Sequence, residues 1–483
     1  MILGQVIKSR NHMVGMPMKI LSTYISLLLL LIISVHPNHI HAGEKLLQES
    51  DFEYLGAFRV PKTDMGGPLY QGLSFGGHAI AYNQINNSLF IVGHGHSQLT
   101  AEINIPEIIK SDNIENLKTS TVIQNLADIT NGHRDKITAD GNKDIGNGAS
   151  MGGMMTWKYK RKDGTEENWL IGSVCAYYDG DYEAVKSHFA TSLKLSSSSP
   201  QFSGMLELGT KPSPVPQAGF IGGYMTPIPG KWQDSLGGKA LSGMSGLPII
   251  SRTSLGPAAF SFYPDELVEK KSPAKATALL YYPLEHPTIG DYGSPGTLET
   301  SGRLYNMGTF QTGVIFPTGT QSIIFTGQYG LGEACYGQGT NKIEEASMPN
   351  YCYDPSDQSK GVHTYPYAIY AWAYDAEDLA RVKAGGRIVD NPSENLVDGI
   401  TKTSTENYKP WHIRPYAHWA IKLPFADNTS GFKGASAYDE ESKRMYLVQL
   451  FADGDRPIIH VFQIKTDSIP DLTPKIKLIN LVH

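Results

Sequence analysis

Short apolar segments recur along the chain in pairs, and five residues separate the two members of each pair. An apolar segment, a polar turn and a second apolar segment form the pattern of a β-hairpin. The pattern therefore predicts hairpins near the start, in the middle and near the end of the chain. The three pairs are Ala81–Asn83 with Leu89–Val92, Ile315–Pro317 with Ile323–Phe325, and Ala437–Asp439 with Met445–Val448.

Further strands are predicted between these hairpins, whereas helical patterns are short and few. The 50 Gly and 29 Pro among 483 residues disfavour long helices and favour strands joined by turns. The two helices that the pattern predicts are Ala376–Lys383 and Glu183–His188. The additional strands are Trp169–Tyr178, Ala258–Tyr263, Ala276–Tyr282, Ala368–Tyr374 and Ile458–Ile464.

Hairpins without a covering layer of helices must bury their apolar faces against one another. A β-propeller achieves this by arranging its sheets around an axis. We therefore expect an all-β fold, a single β-propeller of seven blades, with the N- and C-terminal segments sharing one blade. The alternative is a pair of β-sandwich domains, but no linker-like run interrupts residues 43–483.

The N-terminal region has the layout of a secretory signal peptide. Ile20–Val35 is an apolar run preceded by Lys19, and small residues around Ala42 fit a cleavage site. A membrane anchor is the alternative, but sixteen residues is short for a bilayer span. We expect residues 1–42 to be removed and residues 43–483 to be a secreted or periplasmic monomer, with no membrane contact after cleavage.

The charge balance excludes binding to nucleic acid through bulk electrostatics. The chain has 41 basic and 47 acidic residues, a net charge of −6. No HExxH, P-loop or dinucleotide-binding motif is present.

Polar residues that follow predicted strands provide candidates for a functional site. Loops over a rigid β scaffold commonly carry binding and catalytic groups. The alternative for each histidine is that it only closes a turn. The candidates are His78, His94 and His96 around the first hairpin, Tyr178 and His188 after a central strand, and Arg252 after an apolar run.

Two cysteines and a histidine lie close together in a loop-rich stretch. Cys335 and Cys352 would form a disulfide in an exported protein. Together with His363 they could instead bind Zn²⁺, with His286 or His412 as a fourth ligand.

Two other segments carry weaker signals. Cys175 follows an apolar strand and is expected to be a buried free thiol. The oxygen-rich segment Asp140–Asp144 could bind Ca²⁺, although it lacks the later glutamate of an EF-hand, and a solvated turn is the alternative.

Taken together, these motifs resemble a family of exported bacterial β-propellers that includes the seven-bladed ulvan lyases. The segments that carry the resemblance are Gly77–Ala79, Tyr177–Asp179, Ser187–Phe189, Ser251–Thr253 and Cys335 to His363. The resemblance implies cleavage of an anionic, sulfated, uronic-acid-containing polysaccharide by β-elimination. It also implies a structural zinc held by Cys335, Cys352 and His363.

The resemblance assigns a role to each candidate. His78 and Tyr178 would be the base and acid, and Arg252 would neutralise the uronate carboxylate. His94, His96 and His188 would contact substrate; some relatives have an arginine in the region of His188. Two other classes of function remain open, namely a non-catalytic carbohydrate-binding propeller and a hydrolase using Asp179 and Asp181.

Overall fold

A computed structural model describes most of the chain after residue 43 and confirms the all-β class. Strands dominate, and the α-helices among the described residues are α1 (Gln233–Leu236), α2 (Pro264–Val268), α3 (Ile343–Ala346) and α4 (Ala376–Ala384). The described residues are 44–62, 72–146, 148–176, 179, 181–195, 201–209, 217–246, 254–283, 286, 289–290, 293, 295–296, 304–425 and 434–466.

Within these ranges the chain forms 23 strands. The strands of the first half are β1 (Phe52–Arg59), β2 (Ile80–Asn83), β3 (Ser88–Val92), β4 (Thr100–Asn104), β5 (Val122–Ala127), β6 (Ala149–Lys160), β7 (Glu166–Ala176), β8 (His188–Ser192), β9 (Phe202–Leu206), β10 (Tyr224–Pro227) and β11 (Ala240–Gly243). Those of the second half are β12 (Ala259–Phe262), β13 (Ala276–Leu280), β14 (Phe310–Ile315), β15 (Ser322–Gly330), β16 (Cys335–Thr340), β17 (Tyr351–Tyr353), β18 (Lys360–His363), β19 (Tyr367–Asp375), β20 (Ala417–Ala420), β21 (Ser436–Asp439), β22 (Arg444–Asp453) and β23 (Arg456–Ile464).

The described strands pair into five four-stranded antiparallel sheets and one three-stranded sheet. Four of the large sheets run in chain order: β2–β5, β6–β9, β10–β13, and β14–β15–β19–β20. The fifth has the order β1–β23–β22–β21, so the N-terminal strand completes a sheet made by the last three strands. Phe52 lies opposite Ile464 and Arg59 opposite Ile458, and both ends of the described chain thus share one sheet, as expected. The small sheet, β16–β18, is inserted between β15 and β19.

The three hairpins predicted from paired apolar segments are confirmed. They are β2–β3, β14–β15 and β21–β22. The helix predicted at Ala376–Lys383 is α4. The helix predicted at Glu183–His188 is wrong, because His188 begins β8 and the residues before it are not helical.

One edge strand of each of the five large sheets, which we call its first strand, contacts the first strand of the next sheet. β2 contacts β6, β6 contacts β10, β10 contacts β14, β14 contacts β21, and β21 contacts β2. These five strands also line a cavity of about 310 Å³. Apolar residues fill the space between neighbouring sheets; Ile80 and Leu89 of the first, for example, pack with Val448 and Ile459 of the last.

The number of large sheets differs from the seven blades that the sequence predicted. The described part of the chain holds five, because the connections take up more residues than expected. For example, β5 ends at Ala127 and β6 begins at Ala149, while β13 ends at Leu280 and β14 begins at Phe310.

The starts of the first strands gather at one end of the sheets, which we call the start face. Met151 N, at the start of β6, donates to Gln98 Oε1 at 2.9 Å, and Gln98 lies in the connection from β3 to β4. Just before β21, Ala435 N donates to Gly77 O at 3.4 Å, and Gly77 precedes β2. The cavity includes Gln84, Thr318 and Glu440, which follow first strands, so it lies towards the opposite end.

Candidate functional site

Two glycines bring the segment before β2 against the connection from β3 to β4. A Cβ atom on Gly76 would lie 2.8 Å from the carbonyl carbon and oxygen of Gly93, closer than side chains normally approach backbone. Gly77 has a φ of +99°, a conformation that favours glycine. Only glycine therefore lets these segments meet, and their meeting places His78 beside the loop that carries His94 and His96.

The structure brings His78, His94 and His96 together at the start face, and we call them the histidine cluster. A Cβ atom on Gly95 would lie 3.9 Å from His78 Nε2. The rings of His94 and His96 are stacked with centroids 5.3 Å apart, and His96 N donates to His94 Nδ1 at 3.1 Å. The sequence predicted all three residues as site candidates, and the structure shows that they are neighbours.

The environment of His94 favours its neutral form. His78 Nε2 lies 3.2 Å from Phe75 O, and His78 is half-buried. Burial, and then the neighbouring His96, lower the pKa of His94. A neutral imidazole can accept a proton, which is the property that a general base requires.

Two exposed phenylalanines border the cluster, and the sequence analysis missed both. The side chains of Phe75 and Phe451 are 48% and 51% exposed, and their rings meet edge to face at 5.8 Å. Phe75 also contacts the ring of His94 at 5.3 Å. Exposed aromatic rings beside polar groups are typical of binding surfaces. The available signal was a phenylalanine directly before Gly76–Gly77, where a core residue is not expected.

Arg134 is a third residue that the sequence analysis missed. Its Nη1 donates to Ser97 O at 3.1 Å and to His96 O at 3.4 Å, so it holds the loop of the histidine cluster. Its Nη2 lies 3.3 Å from Asp135 Oδ2, while its Nε is buried without a hydrogen bond. A guanidinium group therefore lies next to the cluster, although no local sequence motif marks it.

His188 does not lie on an accessible surface, contrary to its predicted contact with substrate. The side chain is fully buried, with Nδ1 2.8 Å from Ser187 Oγ and Nε2 2.9 Å from Ser242 Oγ. Burial lowers its pKa to about 3, so the ring is neutral. His188 joins the second and third sheets and has a structural position.

Tyr178 and Arg252, the other two predicted catalytic residues, lie outside the described residues. Tyr178 follows Ala176, the last residue of β7, and Arg252 precedes Ser254 in the connection from β11 to β12. The carboxylate alternative is weakened by Asp179, whose two oxygens accept hydrogen bonds from the backbone of Glu183 and Ala184 at 2.7 and 3.1 Å. This carboxylate holds its own loop and is not directed at a ligand.

In the structure, the three residues of the predicted zinc site have other partners. Cys335 and Cys352 are bonded to each other as a disulfide, with Cα atoms 5.8 Å apart, so their sulfurs are not thiolate ligands. His363 Nδ1 lies 2.9 Å from Asp354 Oδ2, and its Nε2 lies 3.1 Å from Ser359 O. Both ring nitrogens are therefore engaged within the protein. The spacing of the two cysteines had left the disulfide open as an alternative, and the structure contains this disulfide.

The other residues considered for metal binding also have protein partners. His286 and His412, proposed as a fourth zinc ligand, interact with each other, and burial lowers the pKa of both. In the segment Asp140–Asp144, the ammonium group of Lys136 donates to Asp144 Oδ1 at 2.9 Å and to Asn142 O at 3.1 Å. A lysine occupies the oxygen atoms that Ca²⁺ would need, which matches the solvated-turn alternative. Within the described ranges, no group of three or more His, Cys, Asp or Glu side chains is arranged to hold a metal ion.

Two further predictions are tested only in part, namely the buried free thiol of Cys175 and the location of the protein. Cys175 is a free thiol, as expected, although the residue as a whole is only partly buried. Removal of the thiol group from water raises its pKa to about 11. None of the helices in the described part of the chain has the length and apolar character needed to span a bilayer. The predicted signal peptide, residues 1–42, lies outside the described residues.

The chain matches no protein-family model and no curated protein sequence.

Proposed function

We propose that the chain is an exported β-propeller of five blades that cleaves a uronic-acid-containing, sulfated polysaccharide, ulvan in the first instance, by β-elimination. Support for the propeller comes from the five first strands, which contact one another in a closed sequence around a cavity. The Cys335–Cys352 disulfide is compatible with an extracellular location.

The observation that carries the activity is the histidine cluster beside the exposed pair Phe75–Phe451. Elimination needs a base for the hydrogen next to the uronate carboxylate and a positive group that offsets the carboxylate's charge. A sugar ring can stack on the exposed phenylalanines, which would bring a uronate within reach of the histidine cluster.

In the proposed reaction, His78 removes the hydrogen on the carbon next to the carboxylate. The electron pair left on that carbon forms a carbon–carbon double bond as the glycosidic carbon–oxygen bond breaks. Tyr178 gives a proton to the departing oxygen, and Arg252 pairs with the carboxylate while negative charge builds on it. His94 and His96 contact the sugar, and Arg134 keeps their loop in place.

Purified residues 43–483, incubated with ulvan and with other uronic-acid polysaccharides, test the proposal. A lyase produces an unsaturated uronate, so ultraviolet absorbance and the number of chain ends should rise together. A hydrolase would raise only the number of chain ends, and a protein that binds without cleavage would raise neither. Either of these two outcomes would contradict the proposal.

The second candidate function, binding without cleavage, is favoured by the same exposed phenylalanine pair. Stacking on Phe75 and Phe451 requires no proton transfer, and it would survive loss of the histidine cluster. Retention on immobilised ulvan with no change in absorbance would favour this alternative.

A further inference from the structure

The small sheet β16–β18 is an insertion between β15 and β19 of the fourth large sheet, and it connects to that sheet at the start face. β16 is the central strand, paired in parallel with β17 and antiparallel with β18. The Cys335–Cys352 disulfide joins β16 to β17, and the buried pair Asp354–His363 anchors the end of β18. The insertion is therefore a fixed part of the molecule.

The two faces of this sheet differ in character. Cys352 and His363 are 1% exposed, and a Cβ atom on Gly339 would lie 1.9 Å from Asp357 O, so this face packs on the protein. Strand alternation and the observed register place the intervening residues on the opposite face. That outer face, which we call the tyrosine face, consists of Tyr336, Gln338, Thr340, Tyr351, Tyr353, Lys360 and Val362.

Three tyrosine side chains on this one face are open to solvent. Tyr336, Tyr351 and Tyr353 are 51%, 38% and 43% exposed. Tyr351 and Tyr353 are two residues apart on β17, so they project to the same side about 7 Å apart. The ring of Tyr365 meets that of Tyr353 edge to face at 5.7 Å and supports it from the side. Exposed aromatic groups clustered on a flat sheet are typical of a binding surface.

We propose that the tyrosine face binds the sugar rings of an anionic polysaccharide, apart from the site of cleavage. Tyrosine rings offer flat apolar surfaces to the C–H faces of sugars, while their hydroxyl groups can form hydrogen bonds. Lys360, the one charged residue on the face, matches an anionic polymer. The identity of the polymer rests on the function proposed above, but binding at this face requires no catalysis.

The composition of the face favours a carbohydrate over a second protein. Of its seven residues three are polar or charged, namely Gln338, Thr340 and Lys360, and Val362 is the only aliphatic one, whereas the buried centre of a protein interface is depleted of charged residues. The strongly exposed Ile343 and Met348, at 74% and 53%, belong to the crossover between β16 and β17 and not to these strands. They provide a control for general apolar contact.

Electrophoresis of the whole mature protein in native gels containing ulvan tests the inference. Wild-type protein should be slowed by the polymer, and the variant with Tyr336→Ala, Tyr351→Ala and Tyr353→Ala should show an apparent Kd about tenfold weaker. The matching triple change to Phe keeps the rings and should stay close to wild type. Ile343→Ala should have no effect. A thiol count of one, from Cys175, establishes that each variant keeps its disulfide.

The outcomes separate this inference from the proposed cleavage. The inference is overturned if wild-type protein migrates equally with and without ulvan, or if the triple Ala variant binds as wild type does. It is also overturned if the only effect of the triple Ala change is to dissociate a dimer of the protein. If the triple Ala variant loses binding while wild type produces no absorbance, the inference stands and the lyase proposal fails. A triple Ala variant that binds weakly but cleaves short fragments at the wild-type rate supports both.

Discussion

At the scale of single residues, the proposed site depends on backbone that no larger residue could replace. The close approach of Gly76 to Gly93 brings His78 next to His94 and His96, although His94 comes 16 positions after His78 in the sequence. The sequence predicted each histidine as a candidate from its position at an end of the first hairpin. It could not predict the roles of Arg134 or Phe451, because their proximity depends on how distant connections meet.

Replacement of Arg252 should have the largest effect on turnover. With Arg252→Ala the uronate carboxylate loses its counter-charge as negative charge builds, and kcat/KM should fall by at least about 100-fold. Arg252→Lys should recover little, because an ammonium group lacks the planar pair of donors that fits a carboxylate. Initial rates of absorbance increase on ulvan measure both.

Arg134→Ala is the matched comparison, since Arg134 holds the loop of His96 through backbone carbonyls. We expect KM to rise about tenfold while kcat changes little, because the interaction positions substrate contacts and transfers no proton. A loss of kcat larger than that of Arg252→Ala would mean that Arg134 is the group that neutralises the carboxylate.

The ion pair between His363 and Asp354 should make stability depend on pH. Burial alone would lower the pKa of His363, but the hydrogen bond and charge of Asp354 raise it above the ordinary value. A raised pKa in the folded state stabilises the fold below the unfolded-state pKa, and this contribution disappears as pH rises through the folded-state pKa. The pKa of Asp354 is lowered, burial being outweighed by hydrogen bonds from His363 and other groups, so its contribution is lost only in acid.

Thermal unfolding of wild type and His363→Gln across pH measures this contribution. The difference in Tm should be largest near about pH 5 and smaller above about pH 8. A difference that stays constant over this range would show that the hydrogen bonds of His363, and not its charge, stabilise the insertion.

At the scale of elements, the strand pairs could be predicted from the sequence, but the number of sheets in the molecule could not. The hairpins β2–β3, β14–β15 and β21–β22 follow from local alternation of apolar residues and polar turns. The count of sheets depends on connection lengths, which local patterns do not determine. The false helix at Glu183–His188 has a similar cause, because Asp179 binds the backbone of this segment and holds it in another conformation.

Arg59 should be a main anchor of the N-terminal strand β1. Its guanidinium group pairs with both carboxylate oxygens of Asp453, at 2.9 and 3.0 Å, and both side chains are about nine-tenths buried. Arg59→Met leaves the Asp453 carboxylate buried without this partner, and we expect the free energy of unfolding to fall by about 3 kcal/mol.

Urea unfolding measures this loss, and Arg387→Met is the control. Arg387 also pairs with an aspartate, Asp390, through two hydrogen bonds, but both side chains are more than half exposed. Its replacement should leave stability unchanged within error. Equal effects of the two substitutions would show that burial does not determine the strength of the Arg59 pair.

At the scale of the whole molecule, the fold gathers distant parts of the chain at one end. The segment before β2, the connection from β3 to β4 and the end of β22 all contribute to the surface that carries the histidine cluster, Phe75 and Phe451. The insertion β16–β18 connects to its sheet at the same end. A polymer bound across the start face would contact residues from several distant regions of the chain.

The disulfide should confine its stabilising effect to the insertion. It closes a loop of 17 residues, and its removal frees that loop in the unfolded chain. Cys352→Ser should therefore expose residues 335–363 to limited proteolysis while the five large sheets resist. Mass spectrometry of the fragments locates the cuts, and cleavage throughout the chain would show that the insertion supports the whole fold.

The central claim, elimination at the histidine cluster, is tested most directly by the absorbance of ulvan digests with wild-type protein and His78→Ala. The account predicts a steady rise with wild type and a rate at least about 100-fold lower with His78→Ala, because the base is lost. His418→Asn, which changes a histidine paired with Tyr370 outside the cluster, should leave the rate unchanged. No absorbance with wild type, or an equal rise with His78→Ala, would contradict the account.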